Sequence, residues 1–154
     1  MYWLLGCLLR VLFRRIVSAV KTITFTVKGD PIGQGSMKHI GVGRMIASND
    51  KALKAWRSDV ALACQIERNR VGGLQFAGAV RLDVKFCVTR SKAAAKRVYP
   101  VTPYDLDKLC RSIGDAISVN CDLLVNDAQI VQLNAVKVFG DGCPYGVHVS
   151  VTEL

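Results

Sequence analysis

Hydrophobic residues recur along the chain at two periods, and the changes of period predict its elements. From Thr22 to Val27 (Thr-Ile-Thr-Phe-Thr-Val) β-branched and aromatic residues alternate with period two, the signature of a half-buried strand. Gly29-Asp30-Pro31 ends it, and Gly33-Gln34-Gly35-Ser36 continues a turn-rich loop, with a weakly signalled hairpin from His39 to Ile46. Ser48 or Asn49 offers an N-cap for a helix over Lys51 to Arg70, in which Leu53, Trp56, Val60 and Cys64 recur at three- and four-residue steps. Gly72-Gly73 stops that helix. Val80, Leu82, Val84, Phe86 and Val88 then alternate with Arg81, Asp83, Lys85 and Cys87, the cleanest strand in the chain. A second helix is predicted from about Asp105 to Ile117, with Leu106, Leu109, Cys110, Ile113, Ala116 and Ile117 as its stripe. Gln129 to Val138 and Gly146 to Val151 read as two closing strands. The order strand, helix, strand, helix, strand, strand predicts an α+β fold with helices on one face of a small sheet. No internal repeat is present.

Length adds little beyond one domain: 154 residues suffice to bury a real core. Residues 22–154 are expected to form that domain. The first stretch, residues 1–21, is apolar up to Leu9 and then carries Arg10, Arg14, Arg15 and Lys21 with no carboxylate. Those charges interrupt it well short of the ~20 apolar residues a spanning helix needs. They also follow the apolar run, whereas in a signal peptide they would precede it. The expectation is a helical extension that is no part of the working fold, with a membrane role disfavoured. Six scattered cysteines (Cys7, Cys64, Cys87, Cys110, Cys121, Cys143) contain no CxxC pair, and His39 and His148 are read as structural. A zinc site is therefore not expected, and the cysteines are read as free thiols in a reducing, cytoplasmic compartment.

Charge changes the picture more. The formal net charge is +9, from 21 basic against 12 acidic residues. A basic balance suits an anionic partner and survives removal of residues 1–21. Thr89 to Tyr104 is a long loop holding Arg90, Lys92, Lys96 and Arg97 and no carboxylate, a composition suited to nucleic-acid phosphates. Four of the scarce acids then fall in two short runs, as Asp105, Asp107, Asp115 and Asp127. Taken singly, Asp105 is a helix cap and Asp107 a partner for the helix dipole. Taken with Asp127, they predict a shared cation: carboxylates converging within ~4 Å repel by several kcal/mol each at an effective dielectric near 20. All-oxygen ligands suit Mg²⁺ or Mn²⁺. Arg111 lies one turn beyond Asp107, placed either for a surface ion pair or to clamp a phosphate. Asp115, one turn further, is placed either to orient Arg111 or to support a metal ligand from behind, and Lys108 either to lie in solvent or to contact phosphate.

The residues also carry a family likeness. Phe25-Thr26-Val27-Lys28-Gly29-Asp30-Pro31-Ile32-Gly33-Gln34-Gly35-Ser36 resembles the amino-terminal signature of the RusA-type Holliday junction resolvases. Asp105-Leu106-Asp107-Lys108-Leu109, with Gly114-Asp115-Ala116-Ile117, resembles that family's central DxDN-type motif. Leu124-Val125-Asn126-Asp127-Ala128-Gln129-Ile130 resembles its DDAQV motif, and Val136-Lys137 fits the strand after it. The resemblance implies a small mixed β-sheet with two main helices, a homodimer, and Mg²⁺-dependent cutting of four-way DNA junctions in recombination and repair. It places Asp105, Asp107 and Asp127 on the catalytic aspartates. The chain departs at Arg111, where a Lys is common, at Asn126, where the pattern has an acid, and at Lys108, where it has Asn. Those departures keep a second expectation open, a branched-DNA-binding protein without catalysis.

Overall fold

The computed structural model describes residues 21–39, 41–43, 45–101 and 105–154. Its strands are β1 (Thr22–Lys28), β2 (Met37–His39), β3 (Met45–Ala47), β4 (Val80–Val88), β5 (Ile130–Phe139) and β6 (Gly146–Glu153). The helices are α1 (Asp50–Arg70) and α2 (Leu106–Asp115), the latter running on as a π-helical turn over Ala116–Asn120. β2 and β3 pair as a small hairpin, and the other strands form one sheet in the order β1-β6-β4-β5. β1 and β4 flank β6 antiparallel, while β5 lies parallel to β4. The sheet is therefore mixed, and the α+β expectation holds. The extension expected over 1–21 lies outside the described residues except for Lys21. No described helix is long and apolar enough to cross a membrane.

Alternation decides which face of the sheet is buried. Ile23, Phe25 and Val27 of β1, Val147, Val149 and Val151 of β6, and Val80, Leu82, Val84 and Phe86 of β4 all point to one side. There they meet Trp56, Val60 and Cys64 of α1 and Leu109 and Ile113 of α2. The opposite side carries polar cross-strand pairs: Thr24 Oγ1 donates to Ser150 Oγ (3.3 Å) and Asn134 Nδ2 donates to Asp83 Oδ1 (2.7 Å). Two antiparallel strands can be joined by a tight turn, but a parallel pair needs a crossover. Here the crossover between β4 and β5 runs through the basic loop, α2 and its π turn, so the sheet itself fixes where α2 sits.

Two of the cysteines depart from the expectation of free thiols, and three others meet it. Cys87, at the end of β4, is disulfide-bonded to Cys143, in the turn before β6. Spacing in sequence could not reveal this, because the pair is made by register: Cys87 stands opposite Gly146, three residues past Cys143. Cys64, Cys110 and Cys121 are buried free thiols. Cys121 Sγ lies 2.6 Å from Cys64 Sγ, and that hydrogen-bonded pairing is the first cause raising the Cys64 thiol above its ordinary range. His39 and His148 serve local structure: Gly41 N donates to His39 Nδ1 (3.3 Å), and Thr26 Oγ1 lies 3.1 Å from His148 Nδ1.

Candidate active site

Asp105 is the N-cap residue of α2 in extended geometry, but its side chain makes no capping hydrogen bond. The backbone alone starts the helix, with Leu109 N donating to Asp105 O (3.1 Å). The carboxylate is thus not consumed by the local role that accounts for most aspartates in such a position. Asp107 follows in the first turn with its side chain largely exposed and Lys108 Nζ 3.4 Å from Oδ2. A surface pair of this kind is worth little. The i,i+4 pair between Asp107 and Arg111 does not form.

Helix geometry sorts these residues. Asp105 precedes the first helical residue in extended backbone whereas Asp107 lies within the first turn, so the two side chains leave the backbone differently. Asp107, Cys110, Arg111 and Gly114 line a hollow of about 240 Å³ together with Asp127. Asp105 and Lys108 open instead on a neighbouring hollow of about 340 Å³, closed by Gln34, Gly35, Ser36 and Met37. Arg111 lines both. The three carboxylates therefore do not form one cluster, and no group of three or more Asp, Glu, His or Cys able to hold a metal occurs among the described residues. What the fold assembles is a pair, Asp107 with Asp127, and a third acid across Arg111. Neither Asp127 nor Arg111 has a side-chain hydrogen bond or ion pair among the described residues, so both are available to a ligand.

Asp127 owes its place to two neighbours the sequence reading did not weigh as scaffolding. Asn126 Oδ1 accepts from Ala128 N (2.8 Å) and caps the 3₁₀ turn Asp127–Gln129. Gln129 Oε1 accepts from Val125 N (2.7 Å) and Asn126 N (3.0 Å), while Nε2 donates to Phe76 O (2.9 Å) and Gly78 O (2.8 Å). One amide thus closes the turn and fastens it to the 76–78 segment. Asn126, where the resemblance has an acid, does a cap's work, which an amide oxygen performs as well as a carboxylate.

The wall opposite α2 is equally built. Asn49 Oδ1 accepts from Gly35 N (2.8 Å) and Asn49 Nδ2 donates to Gly33 O (2.9 Å), so the N-cap residue of α1 holds the glycine loop in place of capping its helix. Gln34 N donates to Lys108 O (3.3 Å) and pins the loop to α2. A Cβ on Gly35 would stand 2.4 Å from Asn49 Oδ1, which explains the glycine. Gln34 Oε1 is buried with no hydrogen-bond partner.

Two expected roles change in the structure. Asp115 does not orient Arg111; its carboxylate is ion-paired with Arg57 of α1 and locks the two helices together. The Arg90 guanidinium is committed to protein: it pairs with Asp141, donates to Ala94 O (3.1 Å) and Arg97 O (2.7 Å), and lies 3.8 Å from the Phe139 ring centroid. Lys92, Lys96 and Arg97 are exposed and unpaired among the described residues.

The donors fit the divalent cation that the sequence suggests. Two carboxylates in one hollow and an orphaned amide oxygen in the next are all hard oxygen ligands. Mg²⁺ characteristically takes one or two carboxylates and fills its remaining positions with water and substrate phosphate. The family model described as Endodeoxyribonuclease RusA matches residues 28–152 of the chain. No curated protein matches it at a significant level.

Proposed function

Because the chain belongs to the RusA family of endodeoxyribonucleases, we propose that it hydrolyses a phosphodiester at the crossover of branched DNA, a four-way junction above all, with Mg²⁺ or Mn²⁺. One observation carries the reading: Asp107, Asp127 and Arg111 share a hollow, and the last two have no competing partner among the described residues. Asp107 and Asp127 would hold the metal, with Asp105 on the neighbouring hollow across Arg111, and when bound the metal would activate water and offset charge on the phosphate. Arg111 clamps the phosphate between the hollows. A guanidinium stays charged throughout, so it serves as a fixed cation and not as a proton donor. Lys108 and the exposed Lys92, Lys96 and Arg97 meet flanking phosphates without reading bases, which makes binding steeply salt-dependent. Paired nicks across a symmetric junction call for two sites, and a two-fold dimer supplies them.

The test is cleavage of a synthetic four-way junction with Mg²⁺ by the intact chain, Asp107→Asn and Asp127→Asn. Removing a ligand to the metal forfeits several kcal/mol of charge stabilisation, so each variant should cut at least about a hundredfold more slowly while still binding. Junction binding without cutting by the intact chain would overturn the nuclease reading in favour of a non-catalytic branched-DNA binder. Sedimentation of the same protein tests the dimer.

A further inference from the structure

The basic loop between β4 and α2 presents three large apolar side chains to solvent. Val98 is 77% exposed, Tyr99 70% and Val101 69%. Single exposed apolar side chains are ordinary, but three of them within four residues beside cations form a candidate contact surface. They are also held there firmly. Ala94 on one side of the tip and Pro100 within it are buried. Arg97 N donates to Ala94 O (3.0 Å), and Arg90, itself fixed by Asp141 and Phe139, ties both Ala94 O and Arg97 O. The segment is thus braced beside a hollow that Arg97, Pro100 and Val101 line, with Lys96 and Arg97 preceding the exposed side chains. Cations unpaired among the described residues, next to an exposed aromatic ring, form the combination that grips phosphate and stacks on a base.

We infer that this tip enters the branch point of the DNA, with Tyr99 stacked on a base left without its neighbour there and Lys96 and Arg97 on the adjoining phosphates. An intact duplex offers no open base face to the ring, whereas a crossover does, so the tip discriminates branched from linear DNA. Apolar side chains that part base steps work on the same physical principle elsewhere. The inference rests on the branched-DNA reading and sharpens it by naming a specificity element apart from the carboxylates. Asp105 lies six residue steps after Tyr99, a backbone reach of at most about 22 Å. At 3.4 Å per nucleotide, the cut should fall within about six nucleotides of the branch.

The experiment measures binding of the full chain, without divalent metal, to a four-way junction and to a linear duplex of equal length. Stacking on one base accounts for about ten- to hundredfold in affinity, so Tyr99→Ala should lose that much on the junction and nothing on the duplex. Tyr99→Phe should restore it, and Arg97→Ala should weaken both substrates. Thermal melts confirm that an exposed-residue variant is folded. If the intact chain prefers junctions and Tyr99→Ala keeps that preference, or loses affinity equally on both substrates, this inference fails and the nuclease reading stands. If the intact chain shows no preference for junctions, the branched-DNA reading itself fails and takes the inference with it.

Discussion

Gln129 shows how much a single side chain can carry. Its amide uses both ends, accepting from two backbone N–H groups and donating to two carbonyls on another segment, and Asp127 sits inside the turn so closed. Each net hydrogen bond contributes about 1 kcal/mol. Gln129→Ala should therefore cost roughly 2–4 kcal/mol in a urea titration, and the loosened Asp127 should lower junction cleavage further than the lost folded fraction explains. Gln129→Glu is the sharper variant, because a carboxylate has no donor for Phe76 O and Gly78 O and turns two satisfied carbonyls into repelled ones. It should be the less stable of the two at neutral pH. An unfolding curve for Gln129→Ala that overlays the parent's would show that the clamp contributes nothing.

Between elements, the glycine loop and α1 meet too tightly for a side chain. Gly35→Ala brings a methyl against Asn49 Oδ1 and should cost about 1–3 kcal/mol. Cleavage should fall more than stability does, since the displaced loop walls the hollow of Asp105 and Lys108. β4 and β5 are joined by a different device: Asn134 and then Arg81 hydrogen-bond Asp83 and hold its carboxyl below its ordinary value of 3.8. A carboxyl depressed in the folded state stabilises above its unfolded value, and that stability is lost as pH falls through the folded one. Asn134→Ala should accordingly weaken the fold at pH 7, with the deficit shrinking as pH drops below about 4. A pH-independent deficit in urea titrations would remove Asp83 from the account. The elements themselves were legible because their patterns are strong: alternation over 80–88 and 22–27 leaves one choice of buried face, and the Leu109 and Ile113 stripe fixes that of α2. The site was legible only in part. Asp107, Arg111 and Asp127 line one hollow, yet Asp105 opens on another, because it sits in extended backbone just before the helix that carries Asp107 and Arg111. The partners of Asp115 and Arg90 come from segments more than 50 residues away, which no local pattern reports.

Across the molecule, the Cys87–Cys143 bond closes a loop between residues 56 apart, tying the sheet to the turn that also carries Asp141, the partner of Arg90. A loop of that length restricts the unfolded chain by about 4 kcal/mol in the entropic account. Cys143→Ser, or reduction of the parent, should lower stability by up to that amount and loosen the basic loop through Arg90; equal urea midpoints with and without reductant would contradict it. The parallel pairing of β5 with β4 has a consequence of another kind, one of time. Asp107 and Asp127 belong to a single crossover and approach only when β5 docks beside β4, closing more than forty residues of chain between paired positions. Non-local closure of this sort is slow beside the local winding of α1. A refolding chain would therefore recover its helix first and its nuclease last, so the site comes into being only once the sheet is whole.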